Sequence, residues 1–395
     1  MKHNGIGHRG LVRVAQCAIA GAAFALLAAC GGGSDNNNNA SSTPPGGVKL
    51  QVVSFGDSLS DVGTYAPVIT ASFGGGRFTT NPGEIWTQKV AEYYGDTLTA
   101  ANQGGFGQPL VATSGLGYAQ GGSRVGTQPG IGFASPPLPP YAQLTTVPIV
   151  DQVNQYITQH GTFNSNQLVL INGGANDIFY WATVIQKTAA AVQAGTAPPS
   201  ALAAAQAQAT TGMTTAATQF VGAVQLILSK GAAHVVVSDV PDIKLTPEGV
   251  QGGATAQGLF DSLVVPYNNA LKQYLSNVPQ VIYVSAYAWL DQSLANYQSL
   301  GFTVSNTDTG CALAKMVQSA TAYAQQNPSV LAPGQTASDF GTSFGSSLFC
   351  SPQTYTVAGA DQTYMFADQV HPSTHLHALF AQTVEQAIAQ HGIGK

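Results

Sequence analysis

Charge is what this 395-residue chain has least of. Only 8% of its residues are Asp, Glu, Lys or Arg, against about 25% in an average soluble protein. Surface polarity must then come from Gln, Asn, Ser, Thr and Gly, a composition that suits a secreted chain. The net charge is -5 and the sequence holds no basic run, so nucleic acid is not expected as a partner. Cysteine is scarce, at four residues, and the spacing matches no metal-site pattern. No internal repeat is visible. Beyond the N-terminal segment no apolar run is long enough to form a transmembrane helix. What the chain has in quantity is apolar material: 44% of its residues are hydrophobic, enough for one large domain with a substantial core.

The N-terminus carries an export pattern. Lys2, Arg9 and Arg13 precede the apolar run 14–27, which is too short to span a bilayer, and small residues follow it. A signal peptide is expected over 1–29. Leu27-Ala28-Ala29-Cys30-Gly31 resembles a bacterial lipobox, in which the cysteine is acylated and becomes the new N-terminus. Gly31 and then Gly32 follow it, without the aspartate that favours inner-membrane retention in such lipoproteins, so Cys30 is expected to anchor the chain to the outer membrane or cell surface. The alternative is a plain secretory signal with a secreted or periplasmic product. Residues 30–47, rich in Gly, Asn, Ser and Pro, are expected to form a flexible tether, leaving 48–395 as the folded domain. Removal of the signal discards Cys17, and lipidation occupies Cys30. Cys311 and Cys350 remain, and in an oxidising compartment the simplest expectation is one disulfide between them.

From Val48 onward strand-like runs alternate with helical stretches. Strands are predicted at Leu50 to Phe55, Leu168 to Ile171, His234 to Asp239 and Val281 to Val284. Helices are predicted at Glu84 to Tyr94, Pro199 to Leu228, Leu263 to Leu275, Ala312 to Gln325 and Ser373 to Gln390. The stretch from Gly95 to Pro148 is too rich in Gly and Pro, and too long, for an ordinary connection, so it reads as a functional loop. Strands separated by helices imply an α/β fold of three layers, α/β/α, with a central parallel sheet.

The first strand stops at Gly56, and Ser58 follows within Gly56-Asp57-Ser58-Leu59-Ser60-Asp61. In an open α/β sheet ligands bind outside the carboxyl ends of strands, so Ser58 is a candidate nucleophile. Asp368-Gln369-Val370-His371-Pro372 lies just before the last helix, with Pro372 suited to its first helical position. An Asp three residues before a His can reach Nδ1, fix the tautomer and leave Nε2 free to take a serine proton. His160, His234, His375 and His377 have no acid at that spacing and read as structural or solvated. Gly173-Gly174-Ala175-Asn176-Asp177 follows the second main strand at the same edge, where the Asn176 amide can donate to an oxyanion. Tyr118-Ala119-Gln120-Gly121-Gly122-Ser123 is a further glycine turn able to present a backbone N–H. Gly341-Thr342-Ser343-Phe344-Gly345 fits the G-x-S-x-G pattern, but no buried strand precedes it as such an elbow requires.

Taken together, these four blocks resemble those of the SGNH, or GDSL, esterase and lipase family, from about Leu50 to the end. The resemblance implies a flavodoxin-like SGNH hydrolase fold and no cofactor or metal. It makes Ser58 the nucleophile, Asp368 and His371 the acid and base, and Gly122 and Asn176 oxyanion donors beside the Ser58 N–H. Gly76-Arg77-Phe78-Thr79-Thr80-Asn81, Pro241-Asp242 with Thr246-Pro247, and Tyr267-Asn268-Asn269 are weaker features of the same family. The second block usually has an Asn two places before the Ala, where this chain has Gly117, so Gly121 stands as an alternative to Gly122, with Gly104-Gly105 more distant. Related exported esterases often carry cysteines around the region of Cys311 and Cys350. The implied activity is acyl ester hydrolysis on a lipid-like or hydrophobic substrate, with Ile178-Phe179-Tyr180-Trp181 suited to an apolar acyl chain. The alternatives are a carbohydrate esterase and a non-catalytic surface-binding lipoprotein.

Overall fold

The structure is a computed structural model and describes residues 43–395. The expected signal peptide, Cys30 and the tether as far as residue 42 lie outside the described residues.

β1 (Gln51–Phe55) is followed by α1 (Ala66–Phe73), α2 (Trp86–Tyr93) and a hairpin of β2 (Asn102–Gly105) and β3 (Gln108–Ala112). α3 (Ile149–His160) leads into β4 (Gln167–Asn172), and β4 into the long pair α4 (Ala175–Gln193) and α5 (Ser200–Ser229). β5 (His234–Ser238), α6 (Pro247–Gln251), α7 (Gly253–Leu275), β6 (Val281–Val284) and α8 (Ala286–Ala295) follow. An insertion carries α9 (Leu313–Gln326), α10 (Ala337–Phe344) and the single turn α11 (Ala360–Thr363), and α12 (Thr374–Gln390) closes the chain. α12 starts one residue after the predicted Ser373 and two after Pro372. Ser373 caps it by accepting the Leu376 N–H, so Pro372 lies ahead of the cap rather than inside the helix.

The four predicted strands pair in parallel in the order β1-β4-β5-β6, with Phe55 beside Ile171, Ile171 beside Val237 and Val237 beside Tyr283. On the free side of β1, Ser54 donates to Leu116 O at 3.0 Å and accepts from the Tyr118 N–H at 2.8 Å. The segment 116–118 thus occupies a fifth position outside β1. The resulting order is the flavodoxin-like one, and its reversal point falls at the carboxyl end of β1, where open sheets hold their ligands.

These strands are continuous apolar runs because both faces are covered. Val53, Phe55, Val169, Ile171, Val235 and Val237 face one helical layer, where they pack with Ile149, Phe220 and Tyr267 of α3, α5 and α7. Val52, Leu168, Leu170, Val236 and Ile282 alternate to the other face and pack with Trp86 and Val90 of α2 and Phe380 and Val384 of α12. The insertion has its own aromatic cluster, in which Tyr323, Phe340, Phe344 and Phe349 enclose Phe106 from the turn of the β2–β3 hairpin. Part of the predicted loop 95–148 is therefore a hairpin bound to the insertion. Residues 43–47, expected to be tether, are tied to the domain: Gly46 N donates to Tyr93 O at 2.8 Å, and Lys395 N donates to Gly46 O at 3.0 Å.

Candidate active site

Three neighbouring positions of the sheet deliver three loops to one edge. β1 leads to Ser58, the 116–118 segment leads to Gly122, and β4 leads to Asn176. At the end of β1 the backbone turns sharply. Gly56 has φ 153°, and a Cβ there would stand 2.2 Å from Asn172 Oδ1, so only glycine lets β1 and β4 close this tightly. The buried Gln152 of α3 holds both sides of the Gly56 peptide, donating to its carbonyl at 2.9 Å and accepting its N–H at 2.9 Å. Asp57 accepts the Leu59 N–H at 3.1 Å and the Asn172 amide at 2.8 Å. Ser58 then stands at the first position of a short 3-10 turn, half-exposed, directly after the buried Asp57, whose Oδ1 takes both of these hydrogen bonds.

Asp61, at the end of the same block, fixes the second loop. Its carboxylate accepts the Thr64 N–H at 2.7 Å, the Gly63 N–H at 3.0 Å and the Gly121 N–H at 2.8 Å. The Gly121 N–H is thereby spent. The Gly122 N–H has no partner among the described residues, and Gly122 lines a cavity together with Ser58, Asn176 and His371. Its φ is 80° and an added Cβ would lie 2.1 Å from Ile131 O. Gly104 and Gly105 lie in β2 and do not line that cavity.

Asn176 stands in the first turn of α4, nearly buried, and donates one amide hydrogen to Ser123 O at 2.9 Å. The second amide hydrogen stays free. The loop bearing Gly122 is locked to the same helix end by a buried ion pair, Arg124 to Asp177 at 2.9 Å, with Asp177 also accepting the Val125 N–H at 2.9 Å. Arg124 in turn lies 4.1 Å from the centre of the Tyr180 ring.

His371 and Asp368 arrive from the far end of the chain. Asp368 accepts the Val370 N–H at 2.9 Å and the His371 N–H at 2.7 Å through one oxygen, and the Ser347 N–H at 2.6 Å through the other. His371 Nδ1 lies 2.8 and 3.0 Å from the two carboxylate oxygens, and Nε2 lies 2.9 Å from Ser58 Oγ. Because an ionised carboxylate only accepts, Nδ1 carries the proton and Nε2 accepts from the serine. Burial would raise the Asp368 carboxyl. The His371 charge and the hydrogen bonds from His371 and Val370 outweigh that and hold it well below the usual carboxylate range. The Phe78 ring lies 5.1 Å from the imidazole, centre to centre. Its neighbours bind the same region: Thr79 donates to Pro372 O at 3.0 Å, and Thr80 Oγ1 accepts the Thr374 N–H at 2.9 Å.

Two cavities meet at Ser58. The first, about 410 Å³, is mainly apolar, with Trp86, Phe179, Ile243, Leu290, Leu376 and Phe380 in its lining. The second, about 430 Å³, lies between Gly122, Leu144 and the insertion residues Gln335, Phe344 and Leu348. Of the four residues 178–181, only Phe179 lines either cavity. Ile178 is core, and the Trp181 indole lies against Gly212. Ser343 sits within α10, its hydroxyl bonded to Asp339 O at 2.9 Å, at the rim of both cavities. His377 is structural rather than solvated: it is buried at the back of the apolar cavity, and burial together with the nearby His371 charge lowers its pKa to about 3. Cys311 and Cys350 form a disulfide.

Sequence reading missed Asn172, Gln152 and the Ser347 N–H. Asn172 and Gln152 are ordinary polar residues within a strand and a helix, and Ser347 acts through its backbone, so none carries a local signal. Among the described residues no cluster of side chains suits a metal ion.

A three-layer α/β domain with a Ser-His-Asp hydrogen-bonded chain at the carboxyl edge of its parallel sheet has the arrangement of a serine hydrolase. The chain matches the GDSL-like Lipase/Acylhydrolase family over residues 52–384 and belongs to that family of ester hydrolases. No curated protein matches it as a relative.

Proposed function

We propose that the protein hydrolyses carboxylic acyl esters through Ser58, His371 and Asp368. The observation that carries this reading is the continuous chain from Asp368 through His371 to Ser58 Oγ, with 2.9 Å at its last link. Oγ attacks the ester carbonyl as Nε2 takes its proton, and Asp368 stabilises the imidazolium. The oxyanion is held by the Ser58 and Gly122 N–H groups and the free hydrogen of the Asn176 amide. Gly122 is preferred to Gly121 because the Gly121 N–H already serves Asp61. His371 then protonates the leaving alcohol, and water repeats the cycle through the same base. No step calls for a metal or cofactor. The mainly apolar lining of the 410 Å³ cavity supports a hydrophobic acyl group over the acetyl group of a carbohydrate ester.

A panel of p-nitrophenyl esters from acetyl to palmitoyl tests the reading, with a fluorophosphonate probe identifying the nucleophile. Medium or long acyl chains are expected to turn over fastest. Wild type and Ser343→Ala are expected to be labelled and Ser58→Ala not, whereas label retained on Ser58→Ala refutes the assignment. The same reading includes a lipid on Cys30 that tethers the domain to an outer membrane. It is supported by the lipobox-like sequence.

A further inference from the structure

The mainly apolar cavity beside Ser58 has, among the described residues, a single carboxyl in its lining, that of Glu248. Glu248 belongs to α6, and its backbone N–H donates to Gln369 O at 2.9 Å, inside the loop that runs from Asp368 to His371. The side chain is therefore on the His371 side of Ser58. The Phe179 side is reached from Asn176, one turn along α4. The neighbouring Thr246 hydroxyl is spent inside the protein, donating to Ile243 O at 2.8 Å. The Glu248 carboxyl makes no hydrogen bond to the described residues. A half-buried carboxyl without a partner costs free energy that a bound ligand can offset.

We propose that Glu248 is a specificity-determining residue that hydrogen-bonds a hydroxyl group on the alcohol half of the ester, selecting esters of polyols over those of simple alcohols. This inference rests on the ester hydrolysis proposed above. The leaving oxygen must lie beside His371 Nε2 to receive its proton, so the alcohol extends along the His371 side, past Glu248, while the acyl chain takes the Phe179 side. Burial raises the Glu248 pKa, with the Asp368 charge adding to the effect and the His371 charge opposing it. In either protonation state the carboxyl accepts a hydrogen bond from a hydroxyl, so the contact does not depend on the Glu248 charge. Sites that hydrogen-bond a substrate hydroxyl discriminate strongly against analogues lacking it.

The test is a ratio of kcat/KM values, in which overall changes of activity cancel. The substrates are glyceryl monooctanoate, propyl octanoate and octanoylcholine, and the proteins are wild type, Glu248→Gln and Glu248→Leu, each checked for folding by thermal circular dichroism. Wild type is expected to favour the glyceryl ester over the propyl ester by about tenfold, within the discrimination a partly solvated hydroxyl contact provides. Glu248→Gln, which still donates and accepts, is expected to keep most of that preference. Glu248→Leu is expected to bring the ratio close to one. If Glu248→Leu does not fold, the wild-type and Glu248→Gln ratios decide alone. Equal rates on the glyceryl and propyl esters in wild type overturn the proposal while leaving ester hydrolysis standing. A preference for octanoylcholine that Glu248→Gln abolishes assigns Glu248 to a cation and overturns it too. Hydrolysis of none of the three esters, or of the panel above, removes both readings.

Discussion

Reducing the Cys311–Cys350 disulfide is expected to lower activity before it unfolds the sheet. Both ends of the bond reach the acid of the Ser-His-Asp chain. Cys311 N donates to Ala367 O at 2.9 Å, next to Asp368, and Cys350 lies three residues after Ser347, whose N–H meets Asp368 at 2.6 Å. The bond closes a loop with a sequence separation of 39. For about 40 residues the chain-entropy model gives roughly 4 kcal/mol of stabilisation. Domains of ordinary stability carry roughly 5–15 kcal/mol, so the reduced protein should stay folded at 25 °C. A hydrogen bond to a charged group contributes roughly 1.5–3 kcal/mol, equivalent to about 10- to 100-fold in rate if it is lost and fully transmitted to the transition state. The buried Asn81 amide also holds this segment, donating to Ser347 O at 3.2 Å and Cys350 O at 3.0 Å, so the loss should sit near the lower end, about tenfold in kcat. The assay is esterase activity beside far-UV circular dichroism, on folded enzyme that has been reduced and alkylated, with a Cys311→Ala/Cys350→Ala variant as the genetic counterpart. Full activity after verified reduction would show that Ser347 is held without the bond, and would refute the coupling. Two free thiols in untreated protein would refute the bond itself.

Three further outcomes are expected. Asn176→Ala should fold normally and lose roughly 10²–10³-fold in kcat, the usual cost of one oxyanion donor; near-normal kcat in a folded variant would assign that role elsewhere. His377 is buried neutral, with burial lowering its pKa to about 3 from the usual 6.5. Its contribution to stability is therefore present above pH 6.5 and is lost as the pH falls towards 3, because the unfolded chain takes up the proton first. Denaturant titrations from pH 7 to 4 should show a shallower fall for His377→Gln than for wild type, and parallel curves would exclude the effect. Cys30→Ala should release the enzyme from the membrane fraction, and an intact-mass measurement that finds a mature N-terminus elsewhere, with no acyl mass, would contradict the lipid anchor.

The strands of the sheet and the residues of the Ser-His-Asp chain can be read from local sequence. Four apolar runs such as Leu168 to Ile171 have little alternative to a parallel sheet covered on both faces, because their side chains are apolar on both sides. Ser58, Asn176, Asp368 and His371 were legible because each lies in a short block where glycine, an acid or proline sits at a spacing that chemistry requires. α4 was harder to read: its first turn is written as a glycine loop, and the hydrophobic stretch after it is equally compatible with core and pocket. α3 was missed because its polar residues, Gln152 among them, weaken the apolar period, and tertiary packing rather than local propensity keeps that helix in place.

What the tertiary structure decided are the contacts between residues far apart in the chain. The choice between Gly121 and Gly122 depends on which N–H is already bonded, and that bond comes from Asp61, 60 positions away. Ser347 reaches Asp368 only because the insertion folds around Phe106 and is held through Asn81. Glu248 faces His371 only because α6 docks against the loop at Gln369. No local rule announces such partners, since a backbone N–H or a lone carboxyl has the same sequence signature whether it faces solvent or a catalytic acid. Their meaning comes from burial and from which donors remain free, both of which exist only after the chain has closed on itself.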